Sequence, residues 1–131
     1  MGFQFNGQSV EITSSINQNL PSPDANQTIV QAFLSHTGDT NYTTIHTTTT
    51  GKTFYITSIT ISASATASLI YIGIGASGAE TETLTINHPA SVGTYTFSFP
   101  TPIKAASTEL VRIKNQDAAL LTKTTIVGFE E

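Results

Sequence analysis

The sequence contains no cysteine and no tryptophan, has five prolines and one methionine, and only 11% of its 131 residues are charged. Each shortage excludes something. Without cysteine there are no disulfides and no thiolate metal sites. The low charge stands against roughly 25% in an ordinary soluble domain. Five Lys and Arg against nine Asp and Glu give a formal net charge of -4. That leaves no basic footprint for nucleic acid or for an anionic membrane surface. No apolar run approaches the length of a bilayer-spanning helix. The opening "MGFQFNGQSVEI" has neither the basic region nor the apolar run of a secretory signal, and Asn6 stands where a myristoylation site prefers Ser or Thr.

What fills the space is Thr and Ser, with Asn and Gln, at the expense of the Ala, Glu, Lys and Leu that build helices. Thr and the β-branched aliphatics suit a pleated surface, so the composition points to an all-β chain of one domain. Two regions differ. The stretch "SSINQNLPSPDANQ" has two prolines, many amides and no period, and predicts an extended N-terminal arm over residues 1–26. A short strand at Gln8–Thr13 is expected to precede that stretch. Residues 27–131 predict a β-sandwich. Strand-like runs fall at Thr28–Ser35, 42–49, 52–63, 67–75, 81–88, 94–99, 109–115 and 122–129. Turn signals at Gly51-Lys52, Ala76 to Gly78, Pro89 to Gly93, Pro100 with Pro102, and Asn115 to Asp117 separate the later ones. Short strands at this spacing argue for a sandwich or barrel.

Alternation orients several strands. Tyr95, Phe97 and Phe99 alternate with Thr94, Thr96 and Ser98, which gives one dry face and one wet face. Val111 and Ile113 are set inward against Arg112 and Lys114, and Leu84 and Ile86 against Thr83 and Thr85. "LIYIGIG" is apolar on both faces, with Ile70, Ile72 and Ile74 on one and Leu69 and Tyr71 on the other. A strand of that kind is covered on both sides, by a loop of its own chain or by a partner.

One stretch imitates a nucleotide site. "HTTTTGKT" (46–53) ends like a phosphate-binding loop, but the first glycine of that pattern is replaced by His46. Four consecutive threonines resist the curl that would gather N–H groups on phosphate. The following "TFYITSITISA" reads as a strand, whereas the phosphate loop leads into a helix. The stretch is a turn between strands. No metal spacing joins His36, His46 and His88; surface or loop hydrogen bonding is their expected role. Glu80 and Glu82 share a face expected to be solvated, and Glu130-Glu131 reads as a solvated tail. No nucleophile motif or calcium loop is present, and the acceptor patterns at Asn26 and Asn41 are chance matches in an Asn- and Thr-rich chain. The expectation is a non-enzyme with no cofactor and no metal.

The runs "TTGKTFYITSITISASATASLIYIGIG" and "TYTFSFPTPIKAASTELVRIKN" resemble a recurrent module in small structural proteins of tailed phages and related viruses. The resemblance covers roughly residues 45 to 115. It implies a jelly-roll-like antiparallel β-sandwich that decorates capsids, commonly as a homotrimer, or forms part of a tail or receptor-binding protein. It carries over no catalytic residue. The resulting expectation is a capsid decoration or cement subunit of the virion, assembled in the host cytoplasm. Its partners would be copies of itself, in a trimer, and the major capsid protein or another virion protein. Leu69 and Tyr71 are the candidate subunit interface; Phe3, Phe5 and Ile16 are the candidate anchors of the arm. The alternative is a receptor- or carbohydrate-binding module of a tail or fibre, with Tyr42 as the exposed platform on which a sugar would stack. A small hydrolase or isomerase is disfavoured, because no acid–base cluster can be nominated.

Overall fold

The computed structural model describes residues 26–37 and 40–131. They form eight strands: β1 (Thr28–Thr37), β2 (Thr43–Thr47), β3 (Phe54–Ala63), β4 (Ser68–Gly75), β5 (Thr81–His88), β6 (Gly93–Ala105), β7 (Leu110–Asn115) and β8 (Leu121–Glu130). There is no helix among the described residues. The strands make two four-stranded antiparallel sheets, ordered β1-β8-β3-β6 and β2-β7-β4-β5. Each sheet interleaves strands from both halves of the chain, the double Greek key of a jelly-roll sandwich. Residues 1–25 of the expected arm, with Phe3, Phe5 and Ile16 and the short strand at Gln8–Thr13, lie outside the described residues.

The core is an aliphatic layer between the sheets. Phe54, Ile56, Ile59 and Ile61 from β3 meet Ile70, Ile72, Val111 and Ile113 from the opposite sheet, with Ile126 from β8, all buried. Isoleucine and valine serve here because their branched side chains fit both the pleat and the filled interior. Tyr95, Phe97 and Phe99 of β6 pack half-buried against the edge of this core.

Two irregularities shape the β1-β8-β3-β6 sheet. Thr57 is an extra residue in β3, where the register with both neighbours shifts between Ile56 and Ser58. Its hydroxyl donates to the carbonyl of Val127 at 3.1 Å, which ties the bulge down. Opposite it, β6 jumps from Ser98 to Ile103. Pro100 and Pro102 were expected to end this strand. It continues instead to Ala105, because β6 is an edge strand and the missing N–H groups of proline are tolerated there. The Gly51 turn forms as expected, with Gly51 at φ 82° and Lys52 donating to the Thr49 carbonyl. A strand comes after it, not a helix.

Candidate interaction surfaces

Two pairs of polar side chains bridge the sheets, and both revise the sequence reading. His46 on β2 hydrogen-bonds through Nε2 to the Glu130 carboxylate on β8 at 2.7 Å, and the Thr49 amide donates to the same oxygen at 3.1 Å. Glu130 is buried, not part of a solvated tail. Burial acts to raise its pKa, but hydrogen bonds from Thr49 and His46 outweigh that and hold the carboxyl below its ordinary value. At the other bridge, Asn115 on β7 donates from Nδ2 to His36 on β1 and to the Leu120 carbonyl, both at 3.2 Å. His88 is buried too. Its Nε2 donates to the Ser64 carbonyl and its Nδ1 accepts from the Tyr95 hydroxyl, both at 2.7 Å. Two of the three histidines are therefore core residues, and His46 is largely covered. Each is engaged by a neighbour that fixes its ring. The structure does not bring them together, and among the described residues no three His, Cys, Asp or Glu side chains are placed to hold a metal ion.

The outward faces of the two sheets differ in chemistry. On the β2-β7-β4-β5 sheet, Lys114 stands opposite Tyr71, and its ammonium lies over the rings of Tyr42 and Tyr71 at 4.7 and 4.8 Å. Tyr42 and Tyr71, assigned to separate roles from the sequence, thus belong to one aromatic–cation row. The Tyr42 hydroxyl end lies against Gly73, where a Cβ would come within 2.8 Å of it. Tyr42 is half-buried, and burial, then the nearby Glu82 and Glu80 charges, raise its pKa. In the next row Arg112 pairs with Glu80 and donates to Ser77 at 3.2 Å. The Arg112 hydrogen bond lowers the Glu80 pKa. Leu69 is half-buried on this same outward face.

On the β1-β8-β3-β6 sheet, one row runs Ile29, Phe129, Tyr55, Lys104 across all four strands. The Tyr55 and Phe129 rings stack at 5.0 Å, and the Lys104 ammonium lies 5.5 Å from the Tyr55 ring. The next rows are Gln31, Val127, Ser58, Ser98 and then Phe33, Thr125, Thr60, Thr96. Ile29 is 61% exposed and Phe33 62%. Of these residues the sequence singled out only Thr96 and Ser98, as the wet face of their strand. The alternation of Tyr55 against buried Phe54 and Ile56 was the available signal for the first row. This face is apolar at its β1 edge and hydroxyl-rich elsewhere, a surface with little charge repulsion and many hydrogen-bonding groups.

No protein-family model and no curated protein matches the chain. Among solved structures it is similar to a chain in the acidic stable capsid structure of Helicobacter pylori bacteriophage KHP30, with a TM-score of 0.57 and 12% identity, over 80% of this chain and 98% of that one. It also matches the virus-like particle of the extra small virus of the giant freshwater prawn Macrobrachium rosenbergii, with a TM-score of 0.41 and 10% identity, over 85% of this chain and 83% of that one. At these identities the likeness is one of fold alone, and it is close enough to use only for the phage chain.

Proposed function

We propose that this chain is a non-enzymatic structural protein of a virus particle, and more finely a capsid decoration or cement subunit. The reading rests on one observation above the rest: the eight strands carry the complete jelly-roll order, and that fold aligns with nearly the whole of a chain from a phage capsid structure. The surfaces support it. Polar groups inside the sandwich fix ring positions and join the sheets. Both outward faces carry aromatic rows, with charges held against rings or paired on the β2-β7-β4-β5 face and a hydroxyl-rich, sparsely charged surface on the other. Such faces suit close packing of like subunits, where apolar area supplies favourable free energy at about 25 cal/mol per Å² against the cost of association. Leu69 and Tyr71 sit on one such face, and copies of the chain would associate there, in threes on the sequence resemblance, while residues 1–26 reach to the major capsid protein. Tyr42 spends its hydroxyl end on Gly73 and its ring on Lys114, which disfavours the alternative of a sugar stacked on it.

The test is mass spectrometry and immunolabelling of purified particles from the source of this gene. A fixed copy number per particle is expected. Particles made without the chain should still close but disassemble at lower temperature. Absence of the chain from particles would overturn the reading, and failure of any shell to form without it would make the chain a shell-forming subunit instead.

A further inference from the structure

Each sheet of a sandwich has two edge strands whose outer N–H and C=O groups can recruit another chain, and proteins usually guard them. Among the described residues, three of the four edges are guarded. β6 carries Pro100, Pro102 and Lys104 and a broken register. β5 carries Glu82 and a register shift where it meets β4. β2 is five residues long with a shift between Thr44 and His46. β1 differs from all three. Its ten residues, TIVQAFLSHT, include no Lys, Arg, Asp, Glu or Pro. Its register with β8 is unbroken over all ten positions, so no bulge twists it away. It also exposes Ile29 and Phe33, two of the large apolar side chains most open to solvent.

We propose that β1 is a pairing edge for β1 of a second copy of this chain, antiparallel about a two-fold axis through Gln31. Over residues 28–34, the part of β1 that this axis pairs with itself, the outward side chains read Ile29, Gln31, Phe33: apolar, amide, apolar in either direction, with Ser35 and Thr37 beyond it. Reversing the strand therefore preserves the pattern, as an isologous contact requires. In this register Ile29 lies opposite Phe33 of the partner subunit, and Gln31 opposite Gln31 of the partner subunit. An even offset keeps Val30, Ala32 and Leu34 inward on both sides. Because the edge has no charge, antiparallel self-pairing places no like charges against each other. The two β1-β8-β3-β6 sheets join into one continuous eight-stranded sheet. A strand from residues 1–25, or one from an unrelated protein, is the competing occupant. The self-complementary side-chain order favours the second copy. The inference does not depend on the virion reading.

The absence of cysteine from the whole chain makes the register directly testable. Cross-strand pairs place Cα atoms about 4.5–5.5 Å apart, within disulfide range, so full-length Gln31→Cys should oxidise mostly to a covalent dimer. Thr96→Cys, exposed on the far edge strand, should not. By sedimentation at micromolar concentration the unmodified chain should run at an even multiple of 13.9 kDa, and Phe33→Lys at half the unmodified mass. The circular dichroism of Phe33→Lys should be unchanged, since the side chain is mostly exposed. The proposal fails if the unmodified chain sediments as a monomer, which would assign the edge to residues 1–25 or leave it open. It fails equally if Gln31→Cys cross-links no more than Thr96→Cys.

Discussion

Replacing Gly128 with alanine should destabilise the fold more than a methyl addition at any other glycine among the described residues. Gly128 lies in β8 opposite Ile56, beside the Thr57 bulge. A Cβ built there would stand 2.0 Å from the Tyr55 carbonyl oxygen, 2.9 Å from its carbonyl carbon and 2.8 Å from Phe54 Cε1. Ordinary contact begins at 3.4 Å, so the Tyr55 carbonyl would have to recede by about 1.4 Å. Two of those atoms are backbone of a central strand hydrogen-bonded on both sides, and Phe54 is fully buried; neither can swing aside as a surface side chain would. Overpacking of this kind costs about 3 kcal/mol, at the upper end of its usual range. In a domain of this size that lowers Tm by roughly 10–15 °C. Gly51→Ala separates sterics from backbone conformation. Gly51 has nothing within 4 Å of its would-be Cβ but sits at φ 82°, so only the left-handed penalty of about 1 kcal/mol applies. Thermal melts monitored by circular dichroism, with urea titration as a second measure, read both. A Gly128→Ala melt within two or three degrees of the unmodified protein, or one milder than Gly51→Ala, would refute the reasoning.

Three further outcomes are expected. The Glu130 carboxyl is held below its ordinary value near 4.5, so the unfolded state takes up its proton first; the stability it provides is complete above that value and is lost as pH falls through the lower, folded one. Urea midpoints should therefore drop below about pH 4.5, and Glu130→Gln, which costs about 2 kcal/mol at neutral pH, should flatten that acid limb. The Thr124 hydroxyl is buried on the core side of β8 with no hydrogen-bond partner among the described residues. Thr124→Val should accordingly be neutral or stabilising by about 1 kcal/mol, and a loss of that size in the melt would show that the hydroxyl is satisfied. Thr108 holds a left-handed φ of 67°, strained for a β-branched residue, so Thr108→Gly should raise Tm by a few degrees; an unchanged or lower Tm would count against strain at that turn.

The sequence by itself determined the strands and the class of fold. Thr in place of helix formers, period-two alternation in Thr94–Phe99 and Leu110–Asn115, and a turn residue between most runs place seven of the eight strands within two or three residues of their observed bounds. These are local signals: propensity, alternation and turn chemistry act over a few residues, and a linear reading captures them. β6 escaped because proline ends a strand only where its missing N–H is needed, and whether a strand is at an edge is a property of the sheet. β8 shows the same limit in its side chains. Thr122, Thr124 and Glu130 face the core while Val127 and Phe129 face outward. Hydrophobicity alone would have assigned those faces the other way. Only tertiary structure decided that Glu130, 84 residues from His46, joins it across two sheets, and that Tyr42 and Tyr71 share one lysine. The physical reason is that a jelly roll pairs strands distant in the chain, so contacts between side chains obey the order of strands in the sheets and not their order in the sequence.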